Sequence, residues 1–271
     1  MIALLTDFGL RDHYVAAMKG VMLGIAPEAT LVDITHDIPP RDVLSAALEL
    51  VACYRSFPAD TVFLVVVDPG VGTTRRPLAA RAGDYSFVAP DNGVLAPVFD
   101  REQGEPLVVE LRERRYARPE ISHTFEGRDR FAPAAAWLAV GTDIRAFGPP
   151  VIDAEPLPMP RPRRQDDGVA GEIVKVDRFG NLISNIDARM LDAVSRAAPP
   201  MVRVGGHAVS AVVSTYGDVR PGELCALVGS AGYLEIAANG DSAAQLLAIG
   251  RGAPVIVQAK GQAACGDTER G

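Results

Sequence analysis

The segment that most constrains the fold is the run from Thr61 to Val67, which is almost continuously apolar and rich in β-branched residues. Such a run is typical of a strand that is buried on both faces of a parallel sheet. It ends abruptly on the turn sequence Asp68-Pro69-Gly70-Val71-Gly72. Because a strand of this kind needs helices on both sides of its sheet, the segment predicts an α/β architecture.

The residues that precede this strand alternate between strand and helix patterns. Short β-like runs occur at Ile2–Thr6 and Thr30–Ile34, and apolar residues recur at helical spacing from His13 to Ile25. Asp42 is placed to cap a second helix. The β-α-β-α-β order predicts an N-terminal α/β domain with a mostly parallel sheet, and we assign residues 1–150 to it.

The second half of the chain has a different pattern. Residues 151–167 are rich in proline and charged residues, which predicts an interdomain linker. Short β-like runs separated by turn signals follow over residues 168–260, and they predict a smaller C-terminal all-β, barrel-like domain. Residues 261–271 form a polar tail.

Charge and composition exclude several classes of partner. A net charge of −7 argues against nucleic acid or an anionic membrane surface, but it is compatible with a cationic small molecule. No apolar run approaches the roughly 20 residues that cross a bilayer, and no basic leader precedes the first strand. The four histidines and three scattered cysteines show no metal-ligand spacing. We therefore expect a cytoplasmic protein without a metal site.

The predicted strand ends carry the first indication of a functional site. Open α/β sheets bind ligands beyond the carboxyl ends of their strands, and here those ends carry Asp7, the stretch 33–37 and Asp68. Arg75 follows Asp68 seven residues later, around a glycine-rich turn. Taken alone, an Asp/Arg pair at this spacing is more often a salt bridge within a loop than a catalytic pair.

Two further segments combine charged or aromatic residues with turn signals. In Thr124–Pro133, the simplest interpretation is that Asp129 caps a helix over Asp129–Val140, with solvated arginines beside it. In Asp177–Asn181, the simplest interpretation is a hairpin turn. The functional alternative for the second segment is an aromatic face for a nucleobase, with an amide that pairs with the edge of the base.

These segments, together with several others, match one known family in order along nearly the whole chain. The matching segments are Leu5–Gly9, Tyr14–Gly20, Ile34–Ile38, Val67–Gly72, Ala89–Gly93, Thr124–Pro133, Asp177–Asn181 and Ser230–Ala237. Together they resemble the S-adenosyl-methionine (SAM) hydroxide adenosyltransferases, which are relatives of the bacterial fluorinating and chlorinating enzymes. The resemblance implies an α/β domain followed by a smaller β-barrel domain, in agreement with the independent interpretation above.

The resemblance also implies a ligand and an assembly. SAM would be the substrate, no cofactor would be needed, and the enzyme would be a homotrimer with its sites between subunits. Asp7 matches the carboxylate that receives both ribose hydroxyls, which suits a bidentate acceptor. The other implied substrate-binding residues are Phe179 and Asn181 for adenine, Tyr216 as a further stacking face, Asp177 and Ser230 for the amino-acid group, and Glu235 in the last matching segment.

The implied catalytic set departs from the family pattern at one position. Asp68 and Arg75 match two members of an Asp–Arg–His set, but Glu126 occupies the position of the expected histidine. We hypothesise that Glu126 takes over the role of that histidine, with His123, three residues earlier, as the alternative.

The predicted reaction is hydrolysis of SAM to adenosine and L-methionine by in-line attack of water or hydroxide at ribose C5′. Asp68 and Arg75 would handle the water, and Glu126 would pair with Arg75 or share the role of base. One alternative is a non-catalytic protein that binds SAM or adenosine. Another is a halide-dependent enzyme that forms an adenosyl halide, which Asp68 disfavours because its charge would repel a halide.

Overall fold

The computed structural model describes residues 1–165, 168–195, 199–209 and 211–259. The chain divides into two compact units, the first covering Met1–Pro158 and the second beginning at Met159. The predicted polar tail, 261–271, lies outside the described residues. Within the described part of the chain, none of the helices has both the length and the apolar character that spanning a membrane requires.

The first unit contains six strands and four α-helices. The strands are β1 (Ile2–Thr6), β2 (Leu31–Thr35), β3 (Val62–Val66), β4 (Pro77–Ala82), β5 (Tyr85–Pro90) and β6 (Leu107–Glu110). The α-helices are α1 (Tyr14–Ile25), α2 (Val43–Cys53), α3 (Ala96–Arg101) and α4 (Ala132–Ala139). Short 3₁₀ turns occur at Tyr54–Ser56, Arg114–Tyr116 and Ile144–Phe147, and a π-helical turn at Gly127–Phe131.

The six strands form one sheet in the order β2-β1-β3-β5-β4-β6. Strands β2, β1, β3 and β5 are parallel, whereas β4 runs antiparallel to both β5 and β6. The prediction of a mostly parallel sheet is confirmed. In the register of β1 and β3, Thr6 is paired with Val66, so the residues that follow both strands emerge at the same edge of the sheet.

The two faces of this sheet are covered by different helices, as the apolar run at β3 predicts. Alternate residues of β3 point to opposite sides, and every residue of β3 is buried. Phe63 packs in the cluster on the α2 side, and Leu64 packs with Met18 in the cluster on the α1 and α4 side. Asp42 caps α2 as predicted, with its Oδ1 accepting from the Ser45 N–H at 3.1 Å.

The described residues of the second unit form eight strands and two short helices. The strands are β7 (Arg163–Gln165), β8 (Gly168–Val176), β9 (Leu182–Asp187), β10 (Pro200–Val204), β11 (His207–Val209), β12 (Leu224–Val228), β13 (Tyr233–Ala238) and β14 (Pro254–Ala259). The helices are α5 (Ala188–Ser195) and α6 (Ala243–Leu247), and a 3₁₀ turn covers Tyr216–Asp218. Strands predominate in this unit, as predicted, although the β-like pattern of the sequence does not indicate the two helices α5 and α6.

The strands of the second unit form an antiparallel sheet in the order β11-β10-β14-β8-β9-β13-β12, with β7 on β8. Strand β11 covers His207–Val209. Val212 then pairs with Ala226 of β12. This pairing brings the chain that follows one edge of the sheet beside the strand at the other edge, so the sheet is barrel-like, as predicted.

The proline-rich segment between the domains contains both packed and paired residues. Val151 is buried, and its N–H donates to the Val108 carbonyl. Arg76 binds both the Asp153 carboxylate and its carbonyl oxygen. Further along the same segment, Arg163–Gln165 pairs with β8 as strand β7.

Candidate active site

Asp68 and Arg75 form a buried pair at the end of β3. The chain turns back after Asp68, and the Gly70 N–H donates to Asp68 Oδ1 at 3.2 Å. Arg75 Nε lies 3.0 Å from Asp68 Oδ1 and 2.9 Å from Oδ2, and its Nη2 lies 2.5 Å from Oδ2. The two side chains are only 6% and 10% exposed. The predicted pair is therefore brought together in a geometry that fixes the guanidinium plane.

Glu126 completes a three-residue group, which we call the Arg75 cluster (Asp68, Arg75 and Glu126). Arg75 Nη2 donates to Glu126 Oε2 as well as to Asp68, and the Phe131 ring centroid lies 5.1 Å from the guanidinium carbon. Burial alone would lower the pKa of Arg75, but hydrogen bonds to Asp68 and the charges of both carboxylates outweigh it and raise the pKa. His123, the alternative third residue, is exposed.

The segment that carries Glu126 differs from its predicted structure. The chain forms the π-helical turn Gly127–Phe131, and α4 begins only at Ala132, without a side-chain cap. The prediction that Asp129 caps this helix is wrong. Asp129 is fully buried, where it accepts from the Ser122 N–H at 2.9 Å and from Arg128 Nε at 2.7 Å. These bonds hold the loop that precedes the turn. Burial alone would raise the pKa of Asp129, but the hydrogen bonds from Arg128 and Ser122 outweigh it and lower the pKa.

Asp7 follows β1 at the same sheet edge as Asp68. Its Oδ2 accepts from the Arg41 N–H at 2.7 Å. Burial raises the pKa of Asp7, the nearby charge of Asp68 adds to this effect, and the bond from Arg41 opposes it. A carboxylate with a raised pKa is one whose charge is incompletely compensated, so Asp7 is suited to accept further hydrogen bonds from a ligand.

Asp7, Asp68 and Glu126 line a cleft of about 320 Å³, a volume within the range of small-molecule binding sites. The residues that line the cleft are Asp7, Phe8, Tyr14, Val66, Asp68, Val71, Thr124, Phe125, Glu126 and Gly127. Three aromatic rings among them pack on one another, with centroid distances of 5.8 Å for Phe8–Tyr14, 6.1 Å for Phe8–Phe125 and 5.1 Å for Tyr14–Phe125. The sequence interpretation gave these rings no role, although each lies in a segment that matches the family.

His36 is linked through Thr6 to the turn that carries Asp7. It is buried, with Nδ1 2.8 Å from Thr6 Oγ1 and Nε2 3.0 Å from Asp33 Oδ1. The Thr6 hydroxyl also accepts from the Phe8 N–H, so His36 is linked to the turn that carries Asp7. Its Nδ1 is bound to Thr6, whereas its Nε2 lies close to the Asp33 carboxylate without forming a hydrogen bond among the described residues. The link to Thr6 indicates a structural role.

In the second unit, Asp177 organises the turn between β8 and β9. Its Oδ1 accepts from the N–H groups of Phe179 and Asn181, both at 2.9 Å, and its Oδ2 accepts from Asn181 Nδ2 at 2.9 Å. Gly180 has a φ of +83°, and a Cβ there would collide with Ser242. The predicted hairpin turn is confirmed, and it leaves Phe179 77% exposed.

Tyr216 and Glu235 form a second pair in this unit, with the Tyr216 hydroxyl 2.8 Å from Glu235 Oε1. Burial and the adjacent carboxylate raise the pKa of Tyr216 to about 12. Burial also raises the pKa of Glu235, as does the charge of Asp177, against the opposing effect of the Tyr216 hydrogen bond. The structure thus brings Asp177, Phe179, Asn181, Tyr216 and Glu235 near one another, and we call them the C-terminal cluster. Ser230 is exposed in the turn before β13.

Comparison with known proteins identifies the family. Residues 2–148 match the SAM hydroxide adenosyltransferase N-terminal domain, and residues 171–256 match the corresponding C-terminal domain. The chain is 41% identical to the (R)-S-adenosyl-L-methionine hydrolase of Salinispora tropica, over 92% of this chain and 94% of that protein. It is 40% identical to the enzyme of the same name from Thermus thermophilus, over 93% and 96% of the two chains.

More distant relatives and a solved structure agree with this result. A fluorinase of an Actinoplanes species is 31% identical over 88% of this chain and 91% of its own. The crystal structure of an uncharacterized conserved protein from Thermotoga maritima superposes with a TM-score of 0.90 at 40% identity, covering 95% of this chain and all of the other.

Proposed function

The chain belongs to the SAM hydroxide adenosyltransferase family, and from this premise we propose that it hydrolyses SAM to adenosine and L-methionine. The observation that carries the proposal is the Arg75 cluster, in which one guanidinium is bound by two carboxylates at the wall of the cleft. Two of the relatives above are named as hydrolases of the R form of the sulfonium, so we include that epimer in the proposed substrate class.

The reaction requires little acid catalysis, because the leaving group is neutral. The oxygen of water attacks C5′, and the C5′–S bond breaks with its electron pair passing to the sulfonium sulfur. That sulfur becomes the neutral thioether of methionine, and the water proton passes to a carboxylate. The site must position the water in line with the bond and accept this proton.

Within the Arg75 cluster, we assign complementary roles to the three groups. Arg75 stabilises the developing hydroxide through its positive charge, and its two carboxylate partners hold the guanidinium in place. Asp68 and Glu126 each retain lone pairs beyond those that Arg75 occupies, so either oxygen pair can orient the water. The negative charge of Asp68 would repel a halide, which favours water as the nucleophile.

The substrate-binding residues follow from the family resemblance and from the contacts above. We propose that Asp7 receives the two ribose hydroxyls, since a carboxylate has about four lone-pair sites and the Arg41 N–H uses only one of those on Oδ2. Phe179 offers an exposed ring for adenine. The remaining assignments are Asn181 for the adenine edge, Tyr216 for stacking, Asp177 and Ser230 for the methionine group, and Glu235 for anchoring Tyr216.

A labelling experiment tests the function directly. The protein is incubated with each sulfonium epimer in oxygen-18 water, and the products are analysed by mass spectrometry. We expect adenosine labelled at the 5′-hydroxyl and unlabelled methionine. Chlorinated adenosine in the presence of chloride would instead establish a halide nucleophile, and tight binding without any product would establish a non-catalytic binding protein.

We also propose that the enzyme is a homotrimer in which the C-terminal cluster of one subunit serves the cleft of a neighbour. The family resemblance supports this arrangement, and light scattering tests the trimer itself. Mixed trimers of an Asp68→Asn and a Phe179→Ala variant test the sharing of sites. If each site is shared between two subunits, about one quarter of the sites in randomly assembled mixed trimers would have both Asp68 and Phe179 intact. If each site lies within one subunit, none would.

The compartment is part of the same proposal. Among the described residues, Cys225 is a buried free thiol, and free thiols fit a reducing environment. We therefore propose a cytoplasmic enzyme, which cell fractionation with an antibody against the chain would test.

A further inference from the structure

Arg130 lies behind Glu126 in the π-helical turn, four residues further along the chain. Its Nε is 3.5 Å from Glu126 Oε1 and is buried without a closer acceptor among the described residues. Its Nη1 donates to the Leu111 carbonyl at 3.0 Å, which fixes the guanidinium. The sequence interpretation treats this arginine as a solvated neighbour, whereas its side chain is only 25% exposed.

Glu126 is consequently placed between two guanidinium groups. Oε2 accepts from Arg75, and Oε1 faces Arg130. A carboxylate that is 13% exposed needs a partner for each of its oxygens, because an uncompensated buried charge is costly. With Arg130 included, the group contains two carboxylates and two guanidiniums, so its formal charge is balanced.

We propose that Arg130 is a positioning residue for the reaction, which holds the Glu126 carboxylate against Arg75. This inference rests on the proposed hydrolysis. Without Arg130, Glu126 would compete with Asp68 for the single guanidinium of Arg75, and its second oxygen would face no cation. Arg130 therefore acts on the chemistry through Glu126.

The position of Arg130 separates this role from substrate binding. It is absent from the lining of the cleft and instead lines a separate small cavity with Leu111, Tyr116 and Phe147. Within this turn the Phe131 ring contacts the Arg75 guanidinium, and Arg130 reaches back to Glu126 at the i,i+4 spacing of neighbours on one helix face. Removal of Arg130 should thus affect the rate of the chemical step and leave substrate affinity nearly unchanged.

A double-mutant cycle tests the proposal. Arg130→Met, Glu126→Gln and the double variant are compared with the wild type by the single-turnover rate and KM. We expect Arg130→Met to lower the rate about tenfold with KM within about twofold, and to have little further effect when Glu126 is already Gln. Arg130→Lys should recover part of the rate because it restores the charge. Arg145→Met, which removes an exposed arginine paired with Asp143, is the matched control and should behave as wild type.

Several results would overturn the proposal. A loss that is equal in the wild-type and Glu126→Gln backgrounds would show that Arg130 acts independently of Glu126, and a raised KM with an unchanged rate would show a role in binding. The same four proteins of the cycle are also unfolded with denaturant. If the shifts in the unfolding midpoint of the two single variants do not simply add in the double variant, Glu126 and Arg130 are coupled. This measurement does not depend on turnover, so simple addition of the shifts would refute the contact even if no hydrolysis occurs. Coupling without hydrolysis would refute the catalytic role and the proposed function, while leaving the contact intact.

Discussion

The Arg75 cluster and the C-terminal cluster satisfy their polar groups in opposite ways. In the first, Arg75 and Glu126 are 51 residues apart, and each carboxylate is bound by a guanidinium. In the second, Asp177 binds groups within four residues of itself, and Glu235 is bound by a neutral phenol. Long-range ion pairs fix charges in place before a ligand arrives, whereas a local turn fixes the backbone and leaves a ring exposed. We therefore expect the first cluster to govern turnover and the second to govern affinity.

The largest effect is expected for Asp68→Asn. This change removes a charge that binds both Nε and Nη2 of Arg75 and leaves the guanidinium with Glu126 alone. Turnover should fall by about 10³-fold or more, with KM changed little, since general-base and charge effects contribute on this scale. Steady-state kinetics with adenosine release as the readout would check it. A variant with normal turnover and a raised KM would reverse the comparison between the clusters.

A smaller loss is expected for Glu126→Gln. The amide keeps the shape of the side chain but weakens the bond from Arg75, and a charged hydrogen bond of about 1.5–3 kcal/mol corresponds to a loss of about 10- to 100-fold. Glu102→Gln is the control, because Glu102 is also bound by an arginine, Arg55, away from the cleft. Full turnover in Glu126→Gln beside a loss in Asp68→Asn would exclude Glu126 from the catalytic set.

The sequence predicts the location of both clusters better than their contacts. The buried strand β3 and the cap at Asp42 follow from local patterns, because apolar continuity and capping chemistry act over a few residues. The strand β4 forms a tight hairpin with β5, in which Ala82 pairs with Tyr85, and the sequence patterns do not predict this hairpin. The helix α5 packs partly on β14, which is distant in sequence, so a local pattern does not indicate it. The same holds for the hydrogen bond between Arg75 and Glu126, whose chemistry was expected only from the family resemblance.

The π-helical turn is the clearest example of a feature that sequence reasoning misses. The sequence predicts an ordinary helix over Asp129–Val140 that is capped by Asp129. Burial of Asp129 against Arg128 and the Ser122 N–H overrides that local preference. Arg130 follows Glu126 by four residues, a spacing that places both side chains on one helix face, but the contact of Glu126 with Arg75 depends on the three-dimensional fold.

In the C-terminal cluster, Phe179→Ala should affect affinity and leave stability unchanged. Stacking on an aromatic side chain contributes about 1–3 kcal/mol per base, so KM should rise by about tenfold or more at nearly constant turnover. Phe179 is 77% exposed, and removal of its ring should change the free energy of unfolding by less than about 0.5 kcal/mol. Leu246→Ala, which truncates a side chain in α6 that is 51% exposed, is the control and should leave KM unchanged. A fall in turnover at constant KM would place Phe179 with the catalytic group instead.

The smallest effect concerns the pH dependence of stability at Glu235. Burial raises the pKa of this carboxyl in the folded protein, so the folded state holds its proton more tightly than the unfolded chain does. The stability that this proton contributes is present below the unfolded pKa and is lost as the pH rises through the folded pKa. The amide side chain of the Glu235→Gln variant cannot ionise and still accepts from Tyr216. This variant should therefore be slightly more stable than wild type near about pH 7 and equal to it near about pH 4.

Tyr216→Phe should lower the stability at neutral pH, because the ionised Glu235 carboxylate loses its hydrogen-bond donor. Denaturant unfolding at the two pH values measures both differences. A Glu235→Gln variant that is less stable at neutral pH would mean that the Glu235 carboxylate has a compensating charge like those of the Arg75 cluster, and the contrast between the two clusters would no longer hold.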